Sequence, residues 1–98
     1  MEIKLEKTGA EALIELNGRL DTVTSPELDG IINTELDGVT DLTLDFAGVD
    51  YVSSAGLRVL LRAQKKMNAV GKMKLINVSP IIMEIFEITG FNEILSIE

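Results

Sequence analysis

Apolar and polar residues alternate at the start of the chain, then give way to apolar positions spaced three and four apart. Ile3 and Leu5 alternate with charged residues, Thr8-Gly9 supplies turn chemistry, and Ala12-Leu13-Ile14-Glu15-Leu16 resumes an apolar run. This pattern predicts a hairpin of two strands, the first at a sheet edge. Asn17-Gly18 predicts the end of the second strand. Thr24-Ser25-Pro26-Glu27 predicts a helix start, either by serine capping with proline at the first helical position or by a Thr24–Glu27 capping box. Leu28, Ile31, Ile32 and Leu36 keep a helical stripe that Gly38 ends.

Leu42-Thr43-Leu44-Asp45-Phe46 reads as the next strand. Leu57, Leu60, Ala63, Met67 and Val70 then form the core stripe of a helix closed by Gly71. Lys74-Leu75-Ile76-Asn77-Val78 predicts a fourth strand. Ser79-Pro80 opens a third helix carrying Ile81, Ile82, Ile85, Phe86 and Ile88, ended by Gly90, and Ile94-Leu95-Ser96-Ile97 predicts a last short strand. The order is ββαβαβα(β). Strands alternating with helices require parallel pairing through crossovers, so the expected fold is one α/β domain over residues 1–98. Its sheet is mixed: an antiparallel N-terminal hairpin, then parallel strands.

Composition narrows the chemistry. The chain of 98 residues is 46% hydrophobic and 26% charged, the profile of a single globular domain. No apolar run approaches the ~18 residues of a membrane span. Met1–Glu6 lacks the basic and apolar regions of a signal peptide, which makes the cytoplasm the expected location. With neither histidine nor cysteine, the usual nucleophile–base pairs and most zinc sites are excluded. No phosphate-binding glycine loop is present, so no ATP-dependent kinase activity and no cofactor are expected. A net charge of −7 disfavours nucleic acid as a direct partner. The charge is uneven: residues 1–50 hold twelve acids and three bases, residues 51–80 six bases and no acid. Those bases are either solvated faces paired on folding or a local positive field where a phosphate or acidic partner arrives.

That basic stretch contains the most informative segment. Val52-Ser53-Ser54-Ala55-Gly56-Leu57-Arg58 follows an apolar strand and opens an amphipathic helix. Serine is a favoured helix cap, and the same position offers a phosphate free amides and the positive end of a dipole. Two serines there read as a plain cap or as a phosphorylation site. Gly56 either lets another backbone approach or is simply tolerated. Arg58 lies one turn from Ser54 on the same face, where it either meets a phosphate or faces solvent. Leu61 lies about 100° from Leu60 in projection, off the core stripe, as an isolated leucine or a docking contact. Asp21 reads as a turn residue bonded to local backbone.

Val52-Ser53-Ser54-Ala55-Gly56-Leu57 resembles the phosphorylation loop of bacterial anti-sigma-factor antagonists, which are stand-alone STAS domains. Leu16-Asn17-Gly18-Arg19-Leu20-Asp21 and Leu75-Ile76-Asn77-Val78-Ser79-Pro80, with Phe86, Gly90 and Phe91, are similar to other segments of that family. The resemblance covers essentially the whole chain. It implies a STAS fold and a partner switch without enzymatic activity: the unphosphorylated protein binds an anti-sigma factor that is also a serine kinase, and the sigma factor is released. Phosphorylation of Ser54 ends binding, and a serine phosphatase restores it. Asp21, Ser53, Gly56, Leu57, Arg58 and Leu61 are the implied partner-binding residues, and Ser53 is the second choice of acceptor. Two positions depart from the family pattern: Ser53 stands where many members carry aspartate, and Arg58 where many carry glycine. The rival readings are a small STAS subunit of a lipid-transport ATPase, with Ser54 as a contact, and an enzyme using Ser54 with Lys65 or Lys66.

Overall fold

Sequence alternation becomes a hairpin in the computed structural model, which describes all residues, Met1–Glu98. β1 (Glu2–Thr8) pairs antiparallel with β2 (Glu11–Leu20), with Ile3 opposite Leu16 and Leu5 opposite Ile14, so the edge strand turns its apolar residues to the core face. α1 (Ser25–Thr34), β3 (Asp41–Val52), α2 (Ser54–Val70), β4 (Lys72–Ile76) and α3 (Pro80–Thr89) follow. The four strands lie in the order β1-β2-β3-β4, and both β2–β3 and β3–β4 are parallel. The mixed sheet and the element order are those expected from the sequence.

Ile14, Leu16 and Leu20 of β2, Leu42, Leu44 and Phe46 of β3, and Met73 and Leu75 of β4 are almost wholly buried beneath Leu28, Ile32, Leu60, Met67, Ile82 and Phe86 of the helices. The Phe46 and Phe86 rings meet at 6.1 Å between centroids. Leu13, Glu15, Thr43, Asp45, Lys74 and Ile76, which point the other way, are only half-buried. The helices are therefore gathered over one face of the sheet.

Several expectations need correction. β2 does not end at Asn17-Gly18. It continues to Leu20, with register shifts against β3 between Glu15 and Asn17 and between Gly18 and Arg19. Likewise β3 runs past Phe46 to Val52, and its buried positions step from Leu42, Leu44 and Phe46 to Val49 and Val52 because the irregularities change the two-residue phase. The expected last strand is a 3₁₀ turn (Phe91–Glu93) followed by one parallel bridge, Ile97 to Leu75, with the Leu75 amide donating to the Ser96 carbonyl at 2.8 Å. Val70 is half exposed as the last residue of α2, while Val59 and Gln64 are buried; the helix packs on α1 as well as on the sheet, so its buried stripe is wider than the one read from spacing. On α3 only Ile82 and Phe86 are buried, and Ile81 and Ile88 face solvent.

Candidate functional site

Parallel β2 and β3 release the chain at the same edge of the sheet. Leu20 is paired with Val52, and the Ser53 amide donates to the Leu20 carbonyl at 2.9 Å. The loop Asp21–Thr24 therefore sits beside the start of α2, as an open parallel sheet arranges its carboxyl-end loops.

Ser53 has an extended backbone (φ −88°, ψ 175°), and its hydroxyl accepts from the Gly56 amide at 3.3 Å. It is the cap of α2, which settles which of the two serines does that work. Ser54 is the first helical residue. It is exposed, and its hydroxyl makes no hydrogen bond within the protein. The two serines thus hold different positions: one is engaged in the helix start, the other is free beside amides that the helix itself cannot pair.

Gly56 explains how the helix reaches this position. A Cβ there would lie 2.7 Å from the Leu20 carbonyl oxygen and 2.9 Å from Leu20 Cγ. Only a residue without a side chain lets α2 begin against the end of β2. Gly56 and Leu57 are buried, so they shape the surface from below and offer a partner no side-chain face of their own. Arg58 is exposed one turn after Ser54, and Leu61 is half-buried.

Asp21 forms the other wall. Its Oδ1 accepts from the amides of Val23 at 3.0 Å and Thr24 at 3.1 Å, and its carbonyl accepts from the Ser25 amide at 2.8 Å. Thr24 makes no cap: its hydroxyl donates to the Arg19 carbonyl at 2.6 Å and accepts from the Asp21 amide. Neither sequence-predicted cap of α1 is therefore formed, and the Asp21 carboxylate holds the turn that leads into it. The Thr24 amide is the main cause that keeps the Asp21 carboxyl below the usual carboxylate range; desolvation opposes it, and the Val23 amide, the Thr24 hydroxyl and Arg19 add to it.

Arg19 and Tyr51 lie beside Asp21 at the paired ends of β2 and β3, and Val23 lies in the loop that follows; sequence reasoning missed all three. The Arg19 guanidinium lies 4.5 Å from the Tyr51 ring centroid and its Nε 3.5 Å from Asp21 Oδ2. Val23 is 85% exposed at the tip of the loop. The signal for Arg19 and Tyr51 was a β2–β3 pairing that continues beyond Asn17-Gly18.

Much of the basic stretch is paired on folding. Arg62 meets Asp29 at 3.1 Å, Lys72 meets Asp41 at 3.6 Å, Lys74 meets Glu98 at 3.9 Å, and Lys66 donates to the Ile32 carbonyl at 2.7 Å. Arg58 has no such partner. No helix is long and apolar enough to cross a membrane.

A family model described as the STAS domain matches residues 2–98. BtrV of Bordetella bronchiseptica, named for anti-sigma factor antagonism, is 45% identical over 51 residues, which are 51% of this chain and 44% of that protein. The chain thus spans less than half the length of the curated relative it matches. Among solved structures, the anti-sigma factor antagonist SpoIIAA in its unphosphorylated form aligns over 99% of this chain and 87% of its own, at 25% identity and a TM-score of 0.78. The phosphorylated form of the Bacillus protein aligns over 99% and 91%, at 25% identity and a TM-score of 0.77.

Proposed function

We propose, because the chain belongs to the STAS domain family, that it is an anti-sigma factor antagonist working by a partner switch. The unphosphorylated form binds an anti-sigma factor with serine kinase activity and so releases a sigma factor. The kinase phosphorylates Ser54, the complex separates, and a serine phosphatase returns the binding form. The domain itself catalyses nothing and acts in the cytoplasm.

One observation carries this reading. The hydroxyl of Ser54 is exposed and unbonded at the start of α2, while the neighbouring Ser53 hydroxyl caps the helix. A kinase can take Ser54 without dismantling the cap. The docking face that surrounds it is made of Asp21, Val23, Tyr51, Ser53, Arg58 and Leu61, with Gly56 and Leu57 beneath. The similarity of this chain to both forms of SpoIIAA, at nearly equal TM-scores, supports a switch that needs no refolding.

The physics of release is local. Phosphorylation adds about −1.5 to −2 charge and three acceptor oxygens at neutral pH. In the free protein that charge meets the positive end of α2. Buried against a partner surface shaped for a hydroxyl, it is desolvated and unmatched. Losing ~3–4 kcal/mol of binding changes affinity by about two to three orders of magnitude. Incubation with the candidate kinase and ATP, followed by mass mapping, tests the assignment: phosphate on Ser54 supports it, and an unmodified chain or phosphate confined to other residues refutes it.

A further inference from the structure

α3 carries more apolar surface than the domain can bury. Ile82 and Phe86 turn into the core, yet Ile81 is 68% exposed and Ile88 78%, with half-buried Ile85 between them. At 100° per residue these three isoleucines fall within about 60° of one another, a continuous row along the outside of the helix. Isoleucine is stiff at χ1 and no favoured helix former, so neither local propensity nor burial accounts for Ile81 and Ile88. The outer faces of α1 and α2 are polar by contrast, apart from Val70 in the last position of α2. A helix that is apolar on nearly all sides is normally covered on all sides.

The charge beside the row is of one sign. Glu84 lies one turn from both Ile81 and Ile88, and Glu87 follows it along the same flank. Residues 80–98 hold four acids and no base. Only Glu98 is answered, by Lys74; Glu84, Glu87 and Glu93 have no ion-pair partner. We infer that the outer face of α3 is a docking surface for an amphipathic helix of another protein. The apolar stripe of that helix covers Ile81, Ile85 and Ile88, and lysines or arginines along its edge meet Glu84 and Glu87. Anchors at such spacing are how one helix is read by another. α3 of a second copy would supply an apolar row but no base, and an antiparallel pair would set Glu84 and Glu87 against their counterparts. A lipid surface calls for bases beside the apolar face, and this face has acids. None of the residues proposed for the switch lies on α3, so this surface stands or falls apart from Ser54.

The probe is a helical peptide with leucines three and four residues apart and lysines along one edge; its control carries glutamate in place of lysine. Backbone amide signals of the protein are followed as each is added. Saturable shifts centred on Ile81, Glu84, Ile85 and Ile88 are expected from the lysine peptide, and none from the control. Affinity should fall about tenfold in Ile88→Ser and in Ile81→Ser, and about threefold in Glu84→Gln. Both isoleucines are exposed, so the variants keep the fold, which the dispersion of the same signals verifies. Shifts that do not saturate, that centre on the acids of β1 and β2, that the control reproduces, or that persist unchanged in Ile88→Ser overturn the proposal. Sedimentation and vesicle flotation of the protein alone separate the other occupants. A dimer that Ile88→Ser abolishes would give the face to a second copy. Flotation with phosphatidylcholine vesicles that Ile88→Ser abolishes would give it to a lipid surface, and either result overturns docking of a basic helix.

Discussion

The starts of α2 and α3 are built alike and differ by one side chain. In each, a serine with an extended backbone accepts an amide three residues on, from Gly56 to Ser53 and from Ile82 to Ser79, both at 3.3 Å. After Ser79 comes Pro80, which preorganises the first turn and carries nothing that reacts. After Ser53 comes Ser54, exposed and unbonded. The α3 start spends its one serine on structure. The α2 start has a second hydroxyl, and this separation lets a modification arrive without cost to the helix. The difference also lies in position, since α2 begins where β2 and β3 end together, beside Asp21, Arg19 and Tyr51.

The largest expected effect breaks the two starts apart completely. Ser54→Ala should abolish kinase-dependent phosphorylation, while Ser53→Ala and Ser79→Ala should still accept phosphate, as read by mass mapping after incubation with kinase and ATP. Label moving to Ser53 in the Ser54→Ala protein would show that the cap, not its neighbour, is the acceptor. Next in size is binding. Ser54→Asp should weaken the complex with the anti-sigma partner by at least about tenfold, or ~1.4 kcal/mol, with little change in melting temperature, because a carboxylate is tolerated at a helix start. Calorimetry on the purified pair measures this, and equal affinity for the two proteins would argue that charge at residue 54 does not govern release.

Where the two starts are alike, they should respond alike. Ser53→Ala and Ser79→Ala should each destabilise the domain by about 0.5–2 kcal/mol, the usual worth of a serine cap. Ser54→Ala should fall well below both, since its hydroxyl bonds to nothing in the protein. Denaturant midpoints give the order. A loss for Ser54→Ala as large as for Ser53→Ala would mean that the caps were assigned to the wrong residue.

Element order and sheet type were legible because Ile14, Leu16, Leu42, Leu44 and Leu75 repeat at strand spacing and Leu57, Leu60, Ala63 and Met67 at helical spacing. Strand ends were not. Gly18, at φ +108°, reads as a breaker, but here it sits in an irregularity that β3 follows through to Val52. That single difference hid the Arg19–Tyr51 contact. The serine doublet was legible as a helix start, though not which serine caps, because both residue types suit the position and a shift of one residue decides it. The Ser25 hydroxyl, buried with no hydrogen-bond partner, was invisible as an orphan: sequence offers it as a cap, and the structure gives that work to Asp21 four residues earlier.

The smallest effect tests a third start against the other two, because its turn is held by a group that titrates. The Asp21 carboxyl is held below its ordinary value of 3.8, chiefly by the Thr24 amide. A depressed folded-state value means that the stabilisation is complete above the unfolded value and is lost as pH falls through the folded one. Asp21→Asn keeps an oxygen for the Val23 and Thr24 amides but removes the charge that strengthens those bonds and attracts Arg19. The stability gap between wild type and Asp21→Asn should therefore be constant from about pH 7 to about pH 5 and shrink below pH ~4. Ser53→Ala and Ser79→Ala should show no such change beyond that of the wild type, since hydroxyl caps do not titrate there. Denaturation midpoints across that range decide it. A gap that stays constant in acid would mean that the charge on Asp21 contributes nothing, and that the α1 start is held by hydrogen-bond geometry alone, as the other two are.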